Sequence, residues 1–199
     1  MGEKDIDQAA FRPEKAGEYY KQVKFGPVYG PINSRRLGLS LGINPIQGGF
    51  ACNWSCVYCQ YGVEDIAKSL TGKKKIRFTE ISEIDQALKE RLTSHEHYDS
   101  ISICGPTEPS LHPQFEELIV KVADLRNEYR TGIPLCLFTN VSMLEGVCLE
   151  PLDFVFMKLD VGNEQMFEQF NRSRGIVFRD LVDAIKTTSV SKRIIQTML

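Results

Sequence analysis

Leu39-Ser-Leu-Gly-Ile-Asn-Pro-Ile46-Gln-Gly-Gly-Phe-Ala-Cys52-Asn-Trp-Ser-Cys56-Val-Tyr-Cys59 is the stretch on which the reading of this chain turns. Its first half, Leu39 to Ile46, reads as a strand. Its second half carries three cysteines spaced C-x₃-C-x₂-C, with no fourth cysteine close by. Structural zinc sites and fully ligated iron–sulfur clusters normally take four protein ligands. Three thiolates on one short loop suit three corners of a four-iron cubane, and they leave the fourth iron open for a second molecule.

Beyond this loop the pattern alternates. Thr79 to Leu92 is amphipathic, with Ile81, Ile84, Leu88 and Leu92 at helical spacing and Ser82 with Asp85 as a candidate capping box. Asp99 to Cys104 reads as a strand. Pro113 to Tyr129 reads as a helix with Phe115, Leu118, Ile119, Val122 and Leu125 on one face. Ile133–Thr139 and Phe154–Leu159 read as strands, 164–170 and 177–187 as helices, and Arg193–Met198 as a fifth strand. Strands alternating with helices predict an α/β fold, a parallel sheet with crossover helices outside it. In such folds the chemistry sits at the carboxyl ends of the strands. The polar residues gather there: the cysteine loop, Gly105-Pro-Thr-Glu-Pro109, Thr139-Asn140, Lys158 with Asp160, and Gln196. Residues 1–24 are charged and read as a helical or loose lead-in. Residues 25–38, dense in Gly and Pro, read as turns and extended backbone. The expected division is an N-terminal extension over 1–38 and one domain over 39–199.

The 199 residues suffice for one domain with a core. With 24 Lys+Arg against 26 Asp+Glu the formal charge is −2, which gives no global sign of a nucleic-acid binder. Cys104, Cys136 and Cys148 are far apart and read as buried small hydrophobes rather than a disulfide framework. The polar N-terminus is no signal peptide, and no apolar run reaches the roughly 18–20 residues of a membrane helix. A soluble, cytoplasmic, reducing setting is expected.

The C-x₃-C-x₂-C run with Tyr58 before the last cysteine resembles the radical S-adenosylmethionine (radical SAM) superfamily. Gly30 to Asn44, Ser102 to Pro113, Leu137 to Asn140, Met157 to Asp160 and Phe170-Asn-Arg172 are similar to one branch of it, related to the enzymes that build the wyosine base of tRNA. The resemblance implies a partial (βα) TIM-like barrel. It implies a [4Fe–4S] cluster on Cys52, Cys56 and Cys59, with S-adenosyl-L-methionine on the open iron. Reductive cleavage of the S–C5′ bond then gives methionine and a 5′-deoxyadenosyl radical, which removes a hydrogen atom from substrate. The protein's part is to position the cofactors and exclude water. By the same resemblance Tyr58 meets the adenine through its backbone, Gly105 and Glu108 meet the methionyl amino group, and Thr139, Asn140, Lys158 and Asp160 line the ribose and carboxylate. A flavodoxin or ferredoxin is the implied electron donor, and a tRNA base is one implied substrate.

Two departures stand out. Thr107 occupies the place of the usual glycine before the glutamate. The chain also stops after the fifth strand, which reads as a barrel truncated before its sixth unit and predicts an unpaired edge. Two other readings compete: a cluster-holding relative without turnover, and a zinc domain with His112 as the fourth ligand. Simpler roles also compete residue by residue. Glu108 would answer a helix dipole, Asn140 would cap the next segment, and Lys158 and Asp160 would form an ion pair. Arg35, Arg36, Lys73–Lys75, Arg77, His95 and His97 would be solvated, Arg172 and Arg174 are candidates for an anion contact, and Trp54 and Tyr61 would shield the cluster.

Overall fold

A computed structural model describes residues 25–48, 51–59, 76–173 and 175–197. The lead-in over 1–24, Tyr61, the basic run Lys73–Lys75, Arg174 and Met198 lie outside the described residues. In chain order the elements are β1 (Val28–Ser34), β2 (Gly38–Ile43), β3 (Ile46–Gln47), β4 (Arg77–Phe78), α1 (Ile81–Leu92), β5 (Ser100–Ile103), α2 (Phe115–Tyr129), β6 (Leu135–Thr139), β7 (Phe154–Lys158), α3 (Glu164–Phe170), α4 (Phe178–Thr187) and β8 (Arg193–Gln196).

The main sheet has the order β1-β2-β5-β6-β7-β8. From β2 to β8 every pairing is parallel, so the five strands read from the alternation form one open sheet, a partial barrel that does not close. β1 was not foreseen. It pairs antiparallel with β2, inside the stretch read as turns, with a register shift between Tyr29 and Ile32. Pro31 lies in that irregularity. A proline has no N–H for the ladder, and an edge strand with a bulge is where one is tolerated.

The two faces of the sheet differ in chemistry. Leu41, Ile43, Ile101, Ile103, Leu135, Leu137, Val155 and Met157 have no exposed surface and form one core with Ile84 and Leu88 of α1 and Leu118, Ile119 and Val122 of α2. Each such side chain contributes about 1.5–3 kcal/mol by leaving water. The alternate residues of β2 and β5 are Ser40, Gly42, Ser100 and Ser102, and the Ser40 and Ser102 hydroxyls are 2.7 Å apart. These two strands therefore alternate rather than run apolar throughout. On β6 and β7 the same face carries Phe138 and Phe156, stacked at 4.4 Å between ring centroids.

Local caps depart from the sequence reading in one place. The Glu83 carboxylate, not Asp85, closes the start of α1 by accepting the Glu80 N–H at 3.2 Å. Asp85 instead meets Lys89 on its own helix and Lys121 of α2. Helix α2 starts at Phe115, after a 3₁₀ turn over Pro109–Leu111.

Candidate cofactor site

β3 and β4 pair for two residues and pinch together the two ends of the cysteine-bearing loop. Gln47 donates to the Thr79 hydroxyl at 3.0 Å, and the Thr79 N–H reaches the Pro45 carbonyl at 2.8 Å. The cysteine segment then lies across two other parts of the fold. The Glu108 N–H donates to the Ala51 carbonyl at 2.7 Å. The Ser55 and Val57 N–H groups donate to the carbonyls of Asn171 and Phe170 at 3.1 and 2.9 Å. Helix α3 thus lends its last orphan carbonyls to the loop between the first and second cysteines and just after the second. Trp54 is buried beneath, edge-on to Phe167 at 5.1 Å.

All three cysteines are partly exposed. Two receive side-chain amide donors: Asn140 Nδ2 to Cys52 Sγ at 3.6 Å, and Asn171 Nδ2 to Cys56 Sγ at 3.5 Å. Burial, with Glu108 adding to it, pushes the Cys52 thiol far above its ordinary range. The Cys56 and Cys59 thiols lie near enough to push it further the same way. Among the described residues no three His, Cys, Asp or Glu side chains are gathered closely enough to grip a metal ion. The thiols share one loop without converging on a common centre. The donor set nevertheless fits an iron–sulfur group: three thiols, with N–H donors already aimed at two sulfurs, the arrangement that stabilises cluster thiolates.

Glu108 is 4 % exposed and its carboxylate is fully engaged. Oε1 accepts the Ser110 N–H at 3.2 Å, the Ser110 hydroxyl at 2.6 Å and the Thr139 hydroxyl at 2.7 Å. Oε2 accepts the Asn140 N–H at 2.8 Å. Glu108 therefore clamps the ends of β5 and β6 to each other, while its own N–H holds the cysteine segment. Burial is the dominant influence on its carboxyl and pushes it above the ordinary carboxylate range, against the four hydrogen bonds. A Cβ at Gly105 would sit 2.6 Å from Asn44 Oδ1, so a side chain there would require the buried Asn44 amide to shift. Asn44 Oδ1 and Thr107 Oγ1 are buried without a partner among the described residues.

A second cluster joins Tyr58, Lys158, Asp160 and Asn171. The Tyr58 hydroxyl donates to Asp160 Oδ2. Asn171 Nδ2 donates to the same Asp160 oxygen and to the Tyr58 oxygen, each at 2.8 Å. Lys158 Nζ lies 3.3 Å from Asp160 Oδ1 and 5.0 Å from the Tyr58 ring centre. Burial and the Asp160 hydrogen bond push the Tyr58 phenol well above its ordinary value. Asn171 was missed as a site residue by sequence reasoning. Its one signal was its place in the Phe170-Asn-Arg172 stretch.

Other expectations resolve simply. His112 Nε2 donates to the Thr79 carbonyl at 3.0 Å and Nδ1 accepts the Gln114 N–H at 3.1 Å, so no lone pair remains for zinc and the zinc reading loses its fourth ligand. Arg35 and Arg36 are exposed in the β1–β2 turn, at the opposite end of the strands from the cysteine loop. His95 and His97 are exposed, and Cys148 is exposed rather than buried.

A sequence model of the Radical SAM superfamily matches residues 46–192. The chain therefore belongs to the radical SAM superfamily, whose members are enzymes of S-adenosylmethionine-dependent radical chemistry with a [4Fe–4S] cluster. Its relatives include a protein named GTPase Obg from Brachyspira hyodysenteriae, 31% identical over 82% of this chain and 23% of that protein. A UPF0026 protein of Methanocaldococcus jannaschii is 32% identical over 72% of this chain and 43% of its own length. A UPF0026 protein of Synechocystis sp. is 31% identical over 82% of this chain and 59% of that protein. The chain spans less than two thirds of each. Among solved structures, TYW1 with a lysine–pyruvate adduct shares the fold at a TM-score of 0.54 and 14% identity, over 80% of this chain and 55% of that one. Native anSMEcpe with bound AdoMet gives 0.54 at 21%, over 78% and 42%. No described helix is long and apolar enough to cross a membrane.

Proposed function

We propose that Cys52, Cys56 and Cys59 hold a [4Fe–4S] cluster and that the mouth around them receives S-adenosylmethionine for hydrogen-atom abstraction. The observation that carries this reading is the loop itself: three accessible thiols laid across the carboxyl ends of a parallel sheet, two of them met by amide N–H groups. The chemistry supplied by the bound cofactors is reductive S–C5′ cleavage and a 5′-deoxyadenosyl radical. The chain's own residues orient and shield. Tyr58, anchored by Asp160 and Asn171, fixes the backbone beside the last cysteine where the adenine would lie. Gly105 gives the methionyl ammonium close access to backbone, and Glu108 holds that segment in place from below. Thr139 and Asn140, tied to Glu108, shape the ribose side. Lys158, balanced by Asp160 and beside the Tyr58 ring, faces the carboxylate. An iron–sulfur or flavin protein of the flavodoxin or ferredoxin kind supplies the electron, and a tRNA base is the substrate suggested by the wyosine-like segments.

The test is anaerobic reconstitution with iron and sulfide, then reduction in the presence of S-adenosylmethionine. A [4Fe–4S] spectrum and release of 5′-deoxyadenosine are expected; a cluster with no cleavage product removes the activity. A cluster without turnover is the second reading, favoured by Thr107 and by the full engagement of Glu108.

A further inference from the structure

We propose that Asn140 and Asn171 are positioning residues that set the reduction potential of the cluster, by donating amide hydrogen bonds to the sulfurs of Cys52 and Cys56. This rests on the cluster reading above. The two asparagines come from separate parts of the chain, one just after β6 and one just after α3. They are 7 % and 1 % exposed. Neither amide is free to turn over. Asn140 Oδ1 already accepts the Ser142 N–H at 3.1 Å and its hydroxyl at 2.6 Å, which leaves Nδ2 facing Asn53 Oδ1 at 2.9 Å and the Cys52 sulfur. Asn171 Nδ2 faces the Asp160 carboxylate, which accepts and does not donate, and the Tyr58 oxygen, each at 2.8 Å, so the Cys56 sulfur at 3.5 Å shares one of its two hydrogens.

Backbone conformation points the same way. Val141 (φ 73°) and Arg172 (φ 47°) are the non-glycine residues with left-handed backbone among those described, and each directly follows one of the two asparagines. A β-branched valine pays for that conformation, and such strain persists only where the surroundings hold it. The two chain reversals aim two amides at two sulfurs of one loop. A reduced cluster carries one more negative charge than an oxidised one. An N–H donor on its thiolate therefore favours the reduced form, and hydrogen bonds to sulfur are a principal control of cluster potential.

The experiment is an anaerobic redox titration, followed by electron paramagnetic resonance, of reconstituted wild-type protein, N171L, N140L and the double variant, without S-adenosylmethionine. Each single change is expected to disfavour reduction about tenfold, a midpoint lower by about 59 mV for a one-electron couple. The double variant adds the two effects, because the amides act on different sulfurs. The midpoint is read only from clusters that form, so lowered occupancy or a lower melting temperature does not mimic it. N140L probes the idea from a second loop if N171L folds poorly. Unchanged midpoints overturn the inference and leave the cluster reading standing. Loss of the cluster from both variants also overturns it, making the amides supports rather than tuning groups. Absence of a cluster from the wild type removes the reading beneath it as well.

Discussion

Replacing Glu108 by alanine removes the acceptor of four buried hydrogen bonds at once. The Ser110 and Thr139 hydroxyls can rotate toward new partners, but the Ser110 and Asn140 N–H groups belong to backbone and cannot. Each buried donor left unsatisfied costs about 1–3 kcal/mol. Allowing for a water that enters the vacated space, the expected loss is about 3–5 kcal/mol. At roughly 2–4 °C per kcal/mol for a chain of this size, the melting temperature falls by about 6–20 °C. Glu108→Gln is milder. Its cheaper orientation keeps an oxygen on the Asn140 N–H and turns the NH₂ to the two hydroxyls. Only the Ser110 N–H then loses its partner, at a cost of about 1–3 kcal/mol. The assay is thermal unfolding of cluster-free protein by circular dichroism, with no S-adenosylmethionine present. An E108A variant that melts within the error of wild type, yet no longer binds S-adenosylmethionine, refutes the clamp and makes Glu108 a ligand contact instead.

Cys52→Ala, Cys56→Ala and Cys59→Ala should each strip iron from the reconstituted protein, whereas Cys104→Ala and Cys148→Ala should keep the wild-type content; iron and sulfide per chain decide it. Gly42→Ala should lower stability by about 1–3 kcal/mol, read in a denaturant titration, because its Cβ would stand 2.3 Å from the Tyr29 ring. That ring is held by Phe25 at 4.7 Å and by a hydroxyl 3.0 Å from Cys104 Sγ. His112 is held below its ordinary 6.5, chiefly by burial. The unfolded chain therefore binds its proton more readily, and its contribution to stability, complete above 6.5, is lost as pH falls toward the folded value, by at most about 1.4 kcal/mol per pH unit. Unfolding titrations of wild type and H112Q should accordingly converge on the acid side, and a constant gap would count against the buried neutral ring.

The long periodic segments were legible because burial dictates them. The apolar stripes of α1 and α2 and the apolar residues of β5, β6 and β7 read correctly, since each is in one core. β1 was not, because its Gly and Pro content signals turns, while its strand character comes from pairing with β2 across a bulge. The cap of α1 slipped by two residues because Glu80, Ser82, Glu83 and Asp85 offer overlapping candidates that only the tertiary contact of Asp85 with Lys121 separates. At the site, the gathering of Glu108, Thr139 and Asn140 at the strand ends was readable, and hydrogen bonds join them in the structure. The division of labour among them was not readable. Nothing in Gly105-Pro-Thr-Glu108 tells that the carboxylate turns inward to bind Thr139 and Asn140, and nothing in Phe170-Asn-Arg172 tells that an asparagine would reach a cysteine far earlier in the chain.

The two-residue ladder between β3 and β4 sets Gln47 beside Arg77, so the intervening sequence departs from the sheet and rejoins it at neighbouring positions. Within that sequence the cysteine segment is itself tied down by its bonds to Glu108, Phe170 and Asn171, so a change of length there disturbs the site and not the ladder. The strands beneath need not shift register to accommodate it.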